Sequence, residues 1–118
     1  MTIRYDFQKL TVYQMAMTFA ERTFRLTERF PQRLQYSLGD QFRRATLSIC
    51  NNIAEGAQKK GPAKRQFYGY ALDSARECVP MTELSLRLGL LTEHEEADFS
   101  NECFHICNMI YRLIQSVP

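Results

Sequence analysis

The apolar residues of the chain recur at steps of three and four positions in four separate stretches, which is the spacing of one face of an α-helix. In the second stretch, Leu38, Phe42, Ala45, Ile49 and Ile53 form one such stripe. No stretch alternates apolar and polar residues in the manner of a half-buried strand. The pattern therefore predicts an all-α fold. Because the connections are short, we expect an antiparallel up-down-up-down four-helix bundle, built as one domain over residues 1–118.

The second predicted helix carries apolar residues on more than one face. Leu47, Cys50 and Ala54 lie well round from the main stripe, and a polar line runs between the two patches. An ordinary surface helix buries a single stripe, so this helix is expected at the centre of the bundle or at a subunit contact. If it lies at a contact between copies of the chain, the residues expected at or near that contact are Arg44, Leu47, Cys50, Asn51, Ala54 and Glu55.

Capping residues and proline predict the ends of the first two helices. Thr11 and Gln14 have the spacing of a capping box, so the first helix should begin there. Pro31 should end it, because proline cannot continue the hydrogen-bond ladder. Ser37 is placed to cap the second helix, which is expected to run to about Lys59.

The same signals bound the third and fourth helices. Pro62 suits the first turn of the third helix, and Pro80 inside it predicts a kink rather than an end. Gly89 is a good terminating residue. Thr92 and Glu95 form a second capping box, which should open the fourth helix.

Lys and Arg are concentrated in the first half of the chain. Residues 1–65 contain 12 Lys or Arg and 5 Asp or Glu, whereas residues 66–118 contain 3 and 8, and the net charge of the whole chain is +2. This asymmetry has two readings. One is an acidic partner for the first half, and the other is charge complementarity between helices that pack together.

The expected topology gathers basic residues at one end of the bundle. The turn at 58–65 would lie beside the start of the first helix and the end of the fourth. Cations there can neutralise phosphates without reading a base sequence. Phe67 and Tyr68 lie near enough to stack on bases, although Phe67 fits the core better, and a merely solvated turn is the alternative. The nucleic-acid-binding residues predicted on this basis are Lys9, Lys59, Lys60, Lys64 and Arg65.

Few residues offer chemistry for catalysis or metal binding. Glu102 and His105 have the Glu-x-x-His spacing of di-iron bundles, but that site needs a second such pair and two further carboxylates. Cys103 and Cys107 are one helical turn apart, yet zinc sites usually show two short pairs, so core packing is the preferred reading of these thiols. We predict a protein that is not an enzyme and that holds no metal or other cofactor.

Two observations bear on the location of the protein. No apolar run approaches the roughly 20 residues of a membrane span. The first ten residues, MTIRYDFQKL, lack the apolar run of a signal peptide. A cytoplasmic protein without a membrane partner is expected.

Two stretches resemble a known family. Asp6 to Ala16 fits a pattern D-F-x-x-L-x-V-W/Y-Q-x-A, and Gln41 to Gly56, QFRRATLSICNNIAEG, is close to Q-I-R-R-A-x-x-S-I-P-S-N-I-A-E-G. Both patterns are those of the four-helix-bundle family that includes proteins encoded by intervening sequences of bacterial 23S ribosomal RNA genes. Cys50 stands where most relatives have proline, and Pro80 is unusual in the third helix.

The resemblance implies a four-helix bundle and a homopentameric ring, because members of the family form such rings. A related group of accessory proteins from diversity-generating retroelements forms similar basic rings, which are thought to bind nucleic acid and a reverse transcriptase. Two function classes are therefore expected. One is a non-enzymatic, ring-forming protein that binds structured RNA through its basic end. The other is a protein-interaction scaffold for a partner such as a reverse transcriptase, and a salt-dependent gel shift with bare RNA separates the two.

Overall fold

The computed structural model describes residues 1–118 and contains four long helices and no strand. The molecule measures 44 × 28 × 23 Å. A 3₁₀ turn at Asp6–Lys9 precedes the first helix. The four helices are α1 (Thr11–Thr27), α2 (Asp40–Ala57), α3 (Gly61–Arg87) and α4 (Glu93–Ser116). None of them is both long enough and apolar enough to cross a membrane.

Each of the four helices packs against two others, so their apolar stripes meet in one core. α2 lies against α1 and α3, and α4 lies against α3 and α1. The ring of Phe99 on α4 joins the helices at the centre, with ring centroids 5.6 Å from Phe19 of α1 and 6.2 Å from Phe42 of α2. The predicted stripe of α2 is confirmed, since Ile49 and Ile53 are fully buried.

The first helix ends earlier than Pro31, and its start is not capped as predicted. α1 follows Leu10 without a side-chain cap, and the Gln14 side chain instead donates to the Gln8 carbonyl at 2.6 Å. After Thr27 the helix stops, since Pro31 has no N–H for the Thr27 carbonyl. That carbonyl accepts from the Phe30 N–H at 3.1 Å and from the Gln35 side chain at 2.7 Å, and Gln35 also donates to the Phe30 carbonyl at 2.9 Å.

A widened turn leads into α2, so Ser37 is not its cap. A short helical turn at Gln32–Leu34 passes into a π-helical turn at Gln35–Gly39, which contains Ser37 and joins α2 directly. Arg43 stabilises the wide turn, because its guanidinium donates to the Gln35 backbone carbonyl at 2.8 Å. π-helical turns leave backbone groups that need such support.

The predicted helix boundaries of the second half are confirmed. Pro62 lies in the first turn of α3, and the helix continues through Pro80 rather than ending there, while the kink at Pro80 stays a prediction. Gly89 follows the end of α3 with a φ of +75°, a value that favours glycine. At the start of α4, the Glu95 N–H donates to Thr92 Oγ1 at 3.1 Å and the Thr92 N–H donates to Glu95 Oε1 at 3.0 Å.

Close approach of α2 and α3 depends on Gly56. A Cβ atom at position 56 would lie 2.6 Å from Tyr68 Cδ1 and 2.7 Å from Tyr68 Cε1, so only glycine leaves room for that ring. Tyr68 is therefore a core residue, 3% exposed, while Phe67 is half-buried. The expectation that Phe67 takes the core position and that Tyr68 is available to bases was wrong.

Candidate nucleic-acid interface

Three segments that are distant in sequence meet at one end of the molecule. Arg65, in the first turns of α3, donates to the carbonyls of Val117 and Pro118, each at 3.0 Å. The N-terminal arm lies against the end of α2, where a cavity of about 430 Å³ separates them. A second cavity of about 240 Å³ lies between the start of α1 and the last turns of α4.

This end, hereafter the basic end, is rich in cations. Segments 1–10, 55–66 and 109–118 contain seven Lys or Arg and two Asp or Glu. Each of the two carboxylates lies near a lysine. Lys9 Nζ is 3.9 Å from Asp6 Oδ1, and Lys59 Nζ is 3.8 Å from Glu55 Oε2. Exposed pairs at such distances contribute little, so the potential of this end is positive. Its cations are Arg4, Lys9, Lys59, Lys60, Lys64, Arg65 and Arg112.

The predicted phosphate-binding residues differ in what they contact. Lys60 is exposed and forms no ion pair, and Lys59 lies with its Nζ 5.7 Å from the centroid of the half-buried Phe67 ring. Lys64 is half-buried and points back at the protein, with its Nζ 3.2 Å from the Ala57 carbonyl and 5.3 Å from the Tyr68 centroid. The Arg65 guanidinium donates two hydrogen bonds to the C-terminal carbonyls. Lys64 and Arg65 therefore also stabilise this end of the fold.

An exposed aromatic pair that the sequence patterns did not single out lies in the N-terminal arm. Tyr5 is 62% exposed, and its ring stacks on Phe7 with centroids 5.7 Å apart and planes 14° apart. Phe7 in turn packs edge-on against Tyr13 of α1 at 5.1 Å. The sequence did contain a signal for this site, because Tyr5 and Phe7 lie close to Lys9 in the short arm before α1. The 430 Å³ cavity of the basic end is lined by Tyr5, Asp6, Phe7, Leu10, Ala57, Gln58, Lys64 and Tyr68.

The residues predicted for a subunit contact divide into exposed and buried members. Leu47 is 46% exposed, and Asn51 and Glu55 are exposed beside it along α2. Cys50 is different, because it is 3% exposed and belongs to the chain's own core. Burial raises the pKa of its thiol to about 11. The second apolar patch of α2 is thus partly an intramolecular surface.

Arg44 and Ala54 complete that set. Arg44 is exposed, and its Nε lies 2.9 Å from Asp40 Oδ2 rather than near Glu55. Ala54 is half-buried. On the neighbouring helix α1, two apolar side chains are also exposed, Met17 at 42% and Phe24 at 41%.

A polar groove of about 570 Å³ runs between α2 and α3. At its floor the Ser48 and Ser74 hydroxyls are 2.8 Å apart, and the Asn52 side chain donates to Ser48 Oγ at 3.0 Å. These residues hold the two helices together by hydrogen bonds. The groove is lined by Gln41, Arg44, Ser48, Ser74, Glu77 and Pro80.

Comparison with known proteins gives the family of this chain. The family model described as 23S rRNA-intervening sequence protein matches residues 8–112. The chain belongs to this family. The matched span includes all of α1, α2 and α3 and most of α4, so the resemblance carried by the Asp6–Ala16 and Gln41–Gly56 patterns is confirmed.

A solved structure with the same fold comes from the S23 ribosomal protein family of Bacteroides thetaiotaomicron, a protein of unknown function. It shares 23% sequence identity, and the match covers 89% of this chain and 96% of that one with a TM-score of 0.80. At this identity the likeness is one of fold. No protein of curated function matches the chain.

For this member of the 23S rRNA-intervening sequence family, the end opposite the basic end is charge-balanced. Arg29 and Glu95 form an ion pair at 2.9 Å, and Arg22 pairs with Glu102. A backbone hydrogen bond from Thr92 lowers the pKa of Glu95, whereas burial raises the pKa of Glu102 against the pull of Arg22. Charge complementarity between α1 and α4 therefore accounts for Arg22 and Arg29, but not for the cations of the basic end.

The cysteines and histidines do not assemble a metal site. No group of three or more His, Cys, Asp or Glu side chains is arranged to hold a metal ion. His105 is exposed, while Glu102 pairs with Arg22. The Cys103 thiol donates to the Ala75 carbonyl at 3.1 Å and is buried at the α3–α4 contact. The neighbouring Cys103 thiol lowers the pKa of the half-buried Cys107.

Proposed function

We propose that this protein is a non-enzymatic homo-oligomer that binds structured RNA through its basic end. The observation that carries the proposal is the convergence of three sequence segments that bring together seven cations and two carboxylates. The contacts between Arg65 and the C-terminal carbonyls hold two of these segments together. A fixed cluster of cations on one face attracts a polyanion more effectively than the same charges spread evenly.

The proposal includes alternating helix directions, up-down-up-down. Three contacts support this order. The start of α3 touches the end of α4 through Arg65 and Val117. The end of α1 touches the start of α4 through Arg29 and Glu95, and Gly56 near the end of α2 lies against Tyr68 near the start of α3.

Phosphate binding would rest chiefly on the outward cations. Lys9, Lys59 and Lys60 are exposed and extend from the two turns of the basic end. Each phosphate that they neutralise releases condensed counterions, so affinity should fall steeply with salt concentration. Contacts to phosphate carry no base readout, which makes sequence-tolerant binding the expected behaviour.

Oligomerisation would multiply this surface. The exposed Leu47, Met17 and Phe24 supply apolar area for a contact between copies, and the family resemblance favours five copies in a ring. A ring presents the basic end once per subunit. Modest single-site contacts would then sum by multivalency.

The test is RNA binding by a triple variant, Lys9→Gln, Lys59→Gln and Lys60→Gln. These three residues are exposed and make no hydrogen bond to another residue of the fold, so the fold should survive. In a gel shift with a hairpin RNA at low salt, affinity should drop by at least tenfold, about 1.4 kcal/mol. The slope of log affinity against log salt should become shallower by about one for each phosphate that the variant no longer neutralises.

The matched control removes three exposed arginines that lie away from the basic end, Arg25→Gln, Arg33→Gln and Arg87→Gln. It makes the same change in net charge and should leave RNA affinity within about twofold of the parent. Equal losses of affinity in both triple variants would mean that only net charge matters.

Sedimentation velocity on the parent protein tests the proposed oligomer in the same samples. A monomer at micromolar concentration would contradict the oligomer.

A protein-interaction scaffold is the second candidate, favoured by a different observation. α3 and α4 expose several large apolar side chains, among them Phe104 at 64% and Val79 at 56%. Exposed apolar residues of this size are typical of protein contacts when they cluster. Absence of RNA binding by the parent protein at low salt, together with a stable oligomer, would favour this second function.

A further inference from the structure

We propose that the cavity between the N-terminal arm and the α2–α3 turn binds one unpaired nucleotide of the RNA, whose base stacks on Tyr5. The proposal rests on the proposed RNA-binding function and adds a ligand class and a site to it. The cavity, of about 430 Å³, is within the size range of about 300–1,000 Å³ typical of small-ligand sites. Its walls combine aromatic rings with the ammonium group of Lys64 and with the carboxylate of Asp6, which Lys9 faces at 3.9 Å. The rings and the lysines suit a flat base joined to a phosphate.

The Tyr5 ring is presented for stacking. One face lies against Phe7, with planes 14° apart, and the residue is still 62% exposed. A base on the open face would continue a parallel stack of rings. Stacking of this kind tolerates any base, because every base has a π-face, so it agrees with the sequence-tolerant phosphate contacts of the same end.

The arm that carries Tyr5 is held in place before any ligand arrives. The Gln8 side-chain oxygen accepts from the backbone N–H groups of Arg4 and Tyr5, each at 2.9 Å. Gln14 of α1 donates to the Gln8 carbonyl, and Phe7 packs edge-on against Tyr13. A fixed ring loses little conformational freedom on binding, which favours affinity.

The opposite wall supplies charge. Lys64 lines the cavity, and its ammonium group donates to the Ala57 carbonyl at 3.2 Å and to Tyr68 Oη at 3.5 Å. Its third hydrogen can reach a phosphate or a base oxygen at the cavity mouth. The neighbouring Lys60 is exposed and unpaired, and Asp6, the one carboxylate of the lining, is offset by Lys9 at 3.9 Å. A negatively charged, planar ligand therefore matches the cavity better than an apolar peptide segment does.

Tyr5→Leu tests the site, because leucine keeps an apolar side chain and removes the π-face. Fluorescence anisotropy would compare a hairpin RNA that has an unpaired loop with a blunt RNA duplex of the same number of nucleotides. The parent should prefer the hairpin. Tyr5→Leu should lose about tenfold in hairpin affinity, with its duplex affinity and salt slope unchanged, and Tyr5→Phe should restore hairpin binding.

The control variant is Tyr36→Leu, which removes an 85% exposed tyrosine from the α1–α2 connection. It should bind both RNAs as the parent does. A hairpin with 5-bromouridine in its loop should crosslink to Tyr5, as located by mass spectrometry of the digested complex.

The outcomes separate this site from the general proposal. If Tyr5→Leu binds the hairpin as tightly as the parent, the stacking site is wrong while the basic end stands. If hairpin and duplex affinities fall together, Tyr5 acts by supporting the arm, and the nucleotide site is again wrong. If the parent binds neither RNA at low salt, both proposals fail.

Discussion

Gly56→Ala separates two effects that oppose each other in the same helix. Position 56 lies in the last turns of α2, and its backbone is an ordinary right-handed helix. In an exposed helix, replacing glycine by alanine stabilises by about 0.5–1 kcal/mol, because the unfolded chain loses freedom. Helix propensity alone therefore predicts a more stable protein.

The contact with Tyr68 predicts the reverse. An alanine Cβ would lie 2.6 Å from Tyr68 Cδ1, 2.7 Å from Cε1 and 3.3 Å from the Phe67 Cβ. The Tyr68 ring is 3% exposed and cannot turn away without moving α3. Overpacking of this kind typically costs about 1–3 kcal/mol. After the propensity gain is subtracted, we expect the free energy of unfolding to fall by about 1–2 kcal/mol.

Urea unfolding followed by circular dichroism at a fixed protein concentration measures the change, since an oligomer's stability depends on concentration. Gly69→Ala is the matched control, because position 69 is inside α3 and a Cβ there meets nothing within 4 Å. That variant should gain about 0.5–1 kcal/mol. In a Tyr68→Leu background, which removes the ring edge, Gly56→Ala should lose most of its effect. A Gly56→Ala protein as stable as the parent would refute the reasoning.

Two further predictions concern the subunit contact and the start of α4. Leu47→Arg should weaken the proposed oligomer in sedimentation while helix content stays largely intact, because Leu47 is 46% exposed and has no core role; an unchanged oligomer would remove this residue from the contact. The hydrogen bond from the backbone N–H of Thr92 lowers the pKa of Glu95 below its ordinary value of 4.5, and the nearby Arg29 guanidinium lowers it further. The charged form of Glu95 therefore stabilises the fold above that pH, and the contribution disappears as the pH falls through the lowered pKa. Glu95→Gln should make stability less dependent on pH below 4.5, and an identical acid unfolding curve would contradict the assignment.

Helix number and the core stripes could be predicted from the sequence because they depend on periodicity. A residue such as Ile49 or Phe99 belongs to its stripe whatever its neighbours are, and both are buried. The capping box of Thr92 and Glu95 formed as predicted, whereas the same spacing at Thr11 and Gln14 did not produce one, because the Gln14 side chain donates to the Gln8 carbonyl. Local rules succeed where no group outside the motif competes for its partners.

The failures have non-local causes. α1 ends at Thr27, four residues before Pro31, and the Thr27 carbonyl, for which proline has no N–H, accepts from Gln35 eight residues later. Tyr68 displaces Phe67 from the core because Gly56 on another helix leaves space for its ring. Cys50 is buried within the chain, although its angular position on α2 had suggested a contact between subunits. Periodicity fixes the angle of a residue on its helix but not which neighbour covers that angle.

The candidate site shows the same limit. Topology could place the cations of the turn at one end, but their availability to phosphate depends on contacts that a sequence does not display. Lys64 donates to the Ala57 carbonyl, and Arg65 ties α3 to the end of the chain. Neutralising these two residues would disturb the fold and the charge together, so a loss of RNA binding could not be assigned to either cause. The outward side chains of Lys9, Lys59 and Lys60 make no hydrogen bond to the fold and only long, exposed ion pairs, which makes their removal the cleaner test of a phosphate-binding end.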